Sequence, residues 1–414
     1  MAIVKDSAST SNPKHLLADY EQSPLLADQE AIVYATFYTG TVPLVHLRER
    51  VSEIVRLNPV LAGHFVRTLR GIAVQVPKDF SLVRAEDHFV VQDTDITNDT
   101  RPLGPALPLL VECNRIAIRK KTSLFKVAVL VNRALNQFCL VMAVSHLLAD
   151  GATFYTLLSM LDKNSEPRAL TFNLSTDNAN NLEGNAAKVI PSLNYMYFRV
   201  IPHFTHPIRS TIAGIAARLI ALPSFVHTDA WRWQHYEIPS SWIQSQKAAA
   251  MATKPDPNAF VSTNDCLVSW FLSTTRVAFA GMYLNLRGRV PELTPDHAGN
   301  YMRALVFQRG DFETPWLVRG AVAGGSGGAV MCATLREGRR FRAPKVGDKL
   351  GVVSNVCGLF RKVELPGECE FLEHHYTLRD SALGIGTPYC TLYSSKPGNV
   401  CMLTNIAFGP ETFA

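Results

Sequence analysis

No two of the eight cysteines stand at CxxC spacing; Cys113, Cys139, Cys266, Cys332, Cys357, Cys369, Cys390 and Cys401 are scattered singly. That excludes zinc ribbons and thioredoxin-type redox motifs. Several of the eight lie inside apolar runs, so they read as buried free thiols of a reducing compartment. No run of 18 uncharged apolar residues exists, so no bilayer span is expected. The nearest candidate, residues 207–222, is interrupted by Arg209 and Arg218 and reads as a buried helix in preference to a membrane-surface one. Neither GxxxxGK[ST] nor a GxGxxG after a strand is present, which removes those modes of nucleotide binding. No internal repeat is found. The start, MAIVKDSASTSNPKH, lacks an apolar h-region, and a cytoplasmic protein is expected.

Charge of one sign is also scarce. Lysine and arginine total 41 against 35 acidic residues, and the net +6 favours anionic ligands without providing the basic stripe of a nucleic-acid binder. The nearest basic group, Arg115, Arg119, Lys120 and Lys121, reads as a solvated face. His203 and His206 flank two residues, and His374 and His375 are adjacent, yet no Cys, Asp or Glu joins either pair at ligand spacing. No metal is expected.

What is present is apolar material for two cores: 47% of the 414 residues are hydrophobic and 18% charged. Residues 31–38 (AIVYATFY) read as a strand, and a helix over 43–57 follows with Leu44, Leu47, Val51, Ile54 and Val55 on one face and Asn58-Pro59 ending it. Residues 124–131 and 137–144 read as two strands of a hairpin joined by 132–136. The Asn-rich segment 163–192 lacks apolar periodicity and reads as a linker or crossover. Ser262 and Asp265 stand at capping-box spacing before an apolar helix reaching about Ala278. Strands are expected at 282–286, 304–307, 389–393 and 400–406, the last two around a turn at 396–399. The whole reads as two α/β lobes with a cleft between them: residues 1–175, a crossover over 176–230, and 231–414.

The segment Ser145-His146-Leu147-Leu148-Ala149-Asp150-Gly151 follows the apolar run QFCLVMAV and precedes ATFYTLLSML, a short and mostly buried helix. His146 therefore occupies a strand-to-helix turn. Imidazole can take and return a proton near neutrality, which suits general acid–base work; the plainer reading is a turn residue held by backbone hydrogen bonds. Asp150 reads most simply as the helix cap. A second pattern, GxSxG at Gly324–Gly328 with Ser326 at its centre, formally matches a nucleophile elbow. The residues before it make a poor strand, and four glycines about one serine read as a surface loop.

HLLADG at His146–Gly151 resembles the HxxxDG signature of the BAHD and chloramphenicol-acetyltransferase-like acyltransferases, which include condensation domains and wax-ester synthases. Four further stretches resemble the family in order: NPVLAG at 58–63, STNDCLVSWFLSTTR at 262–276, NLRGR at 285–289, and Gly299-Asn300. The BAHD motif DFGWG is missing, with VSNVCG at 353–358 in its place. Ser145 stands where condensation domains carry the first histidine of HHxxxDG, so the subfamily stays open.

The resemblance implies a two-lobed α/β fold with mixed sheets, flanking helices and a tunnel between the lobes. It implies acyl transfer from an acyl thioester, acyl-CoA as co-substrate with no resident cofactor, to a small-molecule acceptor, an alcohol in preference to an amine. His146 becomes the general base with no covalent enzyme intermediate. Asp150 becomes the ion-pair partner of Arg287, Ser354 and Asn355 become oxyanion-donor candidates, and Gly151, Asp265 and Asn300 become scaffold. A carrier-bound donor and a non-catalytic binding relative are the alternatives. Partners beyond small molecules are not expected, and a monomer is favoured.

Overall fold

The computed structural model describes residues 13–17, 31–69, 71–79, 83–97, 111–112, 114–172, 176–195, 233–253, 258–323, 329–345, 347–377 and 387–413. They fall into two compact units. Residues 1–179, 296–300 and 363–372 make one; residues 180–295, 301–362 and 373–414 make the other.

In unit 1, β1 (Lys14–Leu16) precedes β2 (Ile32–Gly40), α1 (Leu44–Leu57), β3 (His64–Thr68), β4 (Gly71–Gln75) and β5 (Phe89–Asp93). Next come α2 (Asn114–Lys120), β6 (Phe125–Asn132), β7 (Gln137–Val144), α3 (Gly151–Ser159) and β8 (Thr171–Phe172). The expected hairpin is there: β6 and β7 pair antiparallel from Phe125↔Val144 to Asn132↔Gln137. Asn136 takes the left-handed φ of +49° at its turn, and Leu135 N donates to Asn132 Oδ1. β7 also pairs antiparallel with β2. Neighbours on both edges and cover on both faces explain why seven of its eight residues are buried.

α1 buries Leu47, Val51, Ile54 and Val55 as its periodicity requires, each worth roughly 1.5–3 kcal/mol relative to exposure. It stops at Asn58, whose buried carboxamide donates to Ile54 O and Arg168 O and accepts from Leu170 N. The NPVLAG stretch ends at Gly63, where a Cβ would lie 2.8 Å from Val74 Cγ1 and 3.0 Å from Gln75 O. Only glycine lets β4 pass so close.

α4 (Thr176–Val189) starts in unit 1 and runs on into unit 2 from residue 180, where β9 (Gln234–Ile238), α5 (Ser240–Met251), α6 (Thr263–Thr274) and β10 (Phe279–Asn285) follow. The short β11 (His297–Ala298) belongs to unit 1, where it pairs parallel with β8. β12 (Met302–Gln308), α7 (Pro315–Val322), α8 (Ala333–Arg336), β13 (Leu350–Asn355), β14 (Cys369–Thr377), β15 (Tyr389–Tyr393) and β16 (Val400–Thr404) follow; β14 starts in unit 1 and passes into unit 2 at residue 373. The six-stranded sheet runs β12-β10-β13-β15-β16-β9 and the five-stranded one β14-β2-β7-β6-β5; both are mixed. Val353, Cys390, Leu392 and Met402 on one face of the larger sheet share a core with Val268, Phe271 and Leu272 of α6.

α4 corrects the expectation of an irregular segment at 163–192. Its Asn-rich stretch is helical, with Ala186 buried, Leu182 and Val189 packed on the core of unit 2, and Glu183 paired with the fully buried Arg303. Of the basic group expected as a solvated face, Arg119, Lys120 and Lys121 are exposed at the end of α2. Residues 207–222, His203, His206, Cys113 and the glycine-rich loop 324–328 lie outside the described residues. The segment before that loop is helix α7, where an elbow needs a strand. The other seven cysteines are free. Among the described residues no helix is long and apolar enough to cross a membrane, and no group of three or more potential ligands could hold a metal.

His374 on β14 is buried in unit 2, and burial followed by the neighbouring His375 drives its pKa to about 3; burial also lowers that of His88. The native state keeps these rings neutral, whereas the unfolded chain takes up their protons below about pH 6.5. Stability is therefore complete above that value and falls as pH drops from about 6.5 towards 3, by up to roughly 1.4 kcal/mol per pH unit for His374 alone. Urea midpoints measured from pH 7.5 to 4 are expected to decline over that window, and His374→Phe, which cannot be protonated, is expected to flatten the decline.

Candidate active site

The turn between β7 and α3 is built tightly. Ser145 N donates to Leu124 O at 2.9 Å, while Ser145 O accepts from Leu148 N and Ala149 N at 3.0 and 3.1 Å. The chain thus closes one turn immediately after the strand and lifts His146 to its end. Leu147, Leu148 and Ala149 are buried; His146 alone in the turn keeps some exposure.

Asp150 is fully buried and caps α3: its Oδ1 accepts from Thr153 N at 2.9 Å, and its O accepts from Phe154 N. The cap expected from sequence is therefore present. Gly151 opens the helix, buried like most of α3.

The segment 296–300 returns to this turn and clips it. Asp150 N donates to Gly299 O at 3.1 Å, Thr153 Oγ1 donates to the same oxygen and accepts from Gly299 N at 3.0 Å, and Asn300 Nδ2 donates to His146 O at 2.8 Å. Gly299 has φ +147°, a value side-chain-bearing residues rarely adopt. Arg168 pairs with Asp296, and Thr171 N donates to Asp296 O, which seats the clip on unit 1. Asn300 thus holds the backbone of the candidate base directly. Thr153 was not singled out from the sequence, although its place three residues beyond a capping aspartate is a legible signal.

Desolvation lowers the pKa of His146 below that of free imidazole. Its own backbone carbonyl and then the Asp150 carboxylate oppose this, with smaller help from Asn300 and Ala149. Nδ1 is buried and makes no hydrogen bond of good geometry, so the contact with its own carbonyl is a close approach and not a well-formed bond. The ring is neutral at pH 7, with Nδ1 turned inward.

The remaining expected residues lie in unit 2. Arg287 donates Nη1 to Asn285 Oδ1 at 3.1 Å, and its guanidinium lies 4.9 Å from the centroid of the Tyr301 ring. Ser262 and Asp265 form the expected capping box of α6, and Asp265 Oδ2 also receives Arg319 Nε and Nη2 at 2.7 and 2.6 Å. Asn355 Nδ2 donates to Asn264 Oδ1 at 2.8 Å, and Asn355 Oδ1 accepts from Cys357 N, so this carboxamide ties the end of β13 to the start of α6. Ser354 is half-buried at the same strand end. Asn264 and Arg319 had no sequence signal of their own beyond lying within or beside the α6 stretch.

No protein family and no curated protein matches this sequence. Solved structures do share its fold. Polyketide synthase associated protein 5 from Mycobacterium tuberculosis aligns at 14% identity over 97% of this chain and 95% of that one, with a TM-score of 0.55. The first condensation domain of the calcium-dependent antibiotic synthetase, solved with a substrate analogue, aligns at 13% identity over 97% and 93%, with a TM-score of 0.56. TRI101 of F. sporotrichioides, solved with coenzyme A and T-2, aligns at 14% identity over 94% of each chain, again at 0.56. This chain shares the mixed α/β fold of these condensation-domain and TRI101 structures.

Proposed function

We propose that this protein transfers an acyl group from an acyl thioester to the hydroxyl of a small-molecule acceptor, with His146 as general base and coenzyme A as the carrier released. The observation that carries the reading is the setting of His146: neutral through desolvation, partly open to solvent, and held through its backbone carbonyl by Asn300. A base must be unprotonated when substrate arrives, which desolvation favours here, and its backbone is anchored by Asn300. The fold shared with coenzyme A-bound TRI101 supports the choice of donor.

The acceptor O–H donates to the imidazole as its oxygen attacks the thioester carbonyl. The proton passes to His146, and a tetrahedral oxyanion forms. Collapse breaks the C–S bond, and the departing thiolate takes the proton back from the imidazolium. The ester and the free thiol leave, and the enzyme is unchanged with no covalent intermediate. Ser354 is the candidate donor to the oxyanion, with Asn355 behind it: one amide hydrogen of Asn355 already serves Asn264, which leaves one. Asp150 and Arg287 are proposed as an ion pair that keeps the turn in shape; the pairing rests on the family resemblance.

Incubating the protein with a panel of acyl-CoAs and alcohol or amine acceptors, and following thiol release, tests the reading. Release that depends on His146 and on an acceptor is expected. Release only from an acyl group on a phosphopantetheinyl carrier would favour the condensation-type reaction, to which the shared fold of condensation domains lends equal support. Ligand binding that His146→Ala leaves intact, with no turnover from any donor, would identify a binding protein.

The lowered pKa of His146 has a further consequence. The base is lost only on protonation, so kcat/KM is expected to hold as pH falls through 6.5 and to decline only below it. Rates from pH 4.5 to 8 with a non-ionising alcohol acceptor check this; an acid limb at or above 6.5 would count against a desolvated base.

A further inference from the structure

The turn bearing His146 is gripped on a second side, from α2. Ser145 and Asn114 are both fully buried. Ser145 Oγ donates to Asn114 Oδ1 at 2.7 Å, and Leu147 N donates to Ser145 Oγ at 3.4 Å. The carboxamide therefore anchors a relay whose other two members are the residues on either side of His146. Asn300 holds the carbonyl of His146 itself at 2.8 Å. The direction in which the Cα–Cβ bond of His146 leaves the turn depends on the φ and ψ of that residue, and the bonds to Ser145, Leu147 and the His146 carbonyl restrain the backbone on both sides of it.

Burying a hydroxyl and a carboxamide costs free energy unless they bond well, and an apolar pair of the same shape would fill the space without that cost. What the polar pair adds is direction: one hydroxyl hydrogen, one short bond, one allowed placement of residue 145.

We propose that Asn114 is a positioning residue for the reaction, acting through Ser145 to hold His146 at its working orientation. The proposal rests on His146 being the base. Asn114 touches no reacting atom, so its loss acts on the chemical step and not on binding. A displacement of about 1 Å at a catalytic group costs on the order of a hundredfold in rate.

The test compares wild type, Asn114→Leu, Ser145→Ala and the double variant. Asn114→Leu keeps the branched outline in a bulkier side chain and removes the acceptor; Ser145→Ala is the gentler change should the first fold poorly. Each single variant is expected to lose about 10- to 100-fold in kcat with KM for donor and acceptor nearly unchanged, and the double is expected to be no slower than the slower single. Rates are referred to folded protein measured by unfolding curves. Unchanged kcat in both singles, or losses that multiply in the double, would overturn the relay.

The imidazole titration of His146, followed by NMR and assigned by its disappearance in His146→Ala, supplies a readout that needs no turnover. Loosening the turn admits water, so the titration is expected to move upward towards pH 6.5 in Asn114→Leu, and an unmoved titration would overturn the proposal. Failure of the acyltransferase reading would look different: no His146-dependent thiol release in wild type, with the titration still deciding whether Asn114 holds the ring.

Discussion

His146→Ala is expected to lower kcat/KM by about 10²- to 10⁴-fold, the range of a lost general base, while leaving the denaturant midpoint close to that of wild type. The two halves of that expectation have separate causes. The polar contact described for His146 in unit 1 runs through its backbone carbonyl, to Asn300, and alanine keeps that carbonyl. The ring's Nδ1 makes no well-formed bond to lose, and removing a partly desolvated imidazole relieves a cost. The chemical half depends on the acceptor. An aliphatic alcohol attacks poorly unless its proton is leaving, so its reaction depends most on a base. A phenol carries a more acidic proton and depends on one less. The loss is therefore expected to be greater for an aliphatic alcohol than for a phenol acylated from the same thioester. Equal rates for His146→Ala and wild type with any acceptor that is turned over would remove His146 from the mechanism.

The histidine was visible in the sequence because three independent patterns meet there: an unbroken apolar strand, a capping aspartate, and an apolar helix at once afterwards. Each reflects burial or backbone satisfaction, which local residue types report. The β6–β7 hairpin and the capping box of α6 were legible for the same reason. α4 was not. Its TDNANNLEGNAAKV has few apolar residues, and those that matter, Leu182, Ala186 and Val189, do fall at i, i+4 and i+7. The asparagines hid that stripe, since in isolation they favour caps and turns over helix interiors. The clip at 296–300 was legible only as a Gly-Asn pair. β11 is two residues long, and no periodicity can announce a strand so short. Asn114 was silent altogether, because its partner lies 31 residues away and only the folded chain brings them to 2.7 Å.

The second large effect concerns Asp150, where Asp150→Asn and Asp150→Ala together separate three roles. As a cap, Asp150 satisfies Thr153 N, and asparagine caps nearly as well, whereas alanine costs about 0.5–2 kcal/mol. As a charge near the ring, Asp150 raises the pKa of His146 against desolvation, so either substitution moves the acid limb of the rate profile further down. As the proposed partner of Arg287, it balances a guanidinium that is only half-buried, so the charge left behind costs less than the roughly 3–5 kcal/mol of a fully buried pair. The expected pattern is a loss of about 1–3 kcal/mol in Asp150→Asn, about 1 kcal/mol more in Asp150→Ala for the missing cap, and a double variant with Arg287→Gln less damaged than the two singles sum to. Rates per folded molecule should then fall far less than in His146→Ala, because the aspartate's work is structural. If Asp150→Asn instead unfolds at the wild-type midpoint yet turns over as slowly as His146→Ala, the carboxylate acts on the imidazole during the reaction and the ion pair with Arg287 is wrong. A coupling near zero in the double variant would dismiss the pair on stability alone, and would leave the cap on α3 and the field at His146 as the functions of this residue.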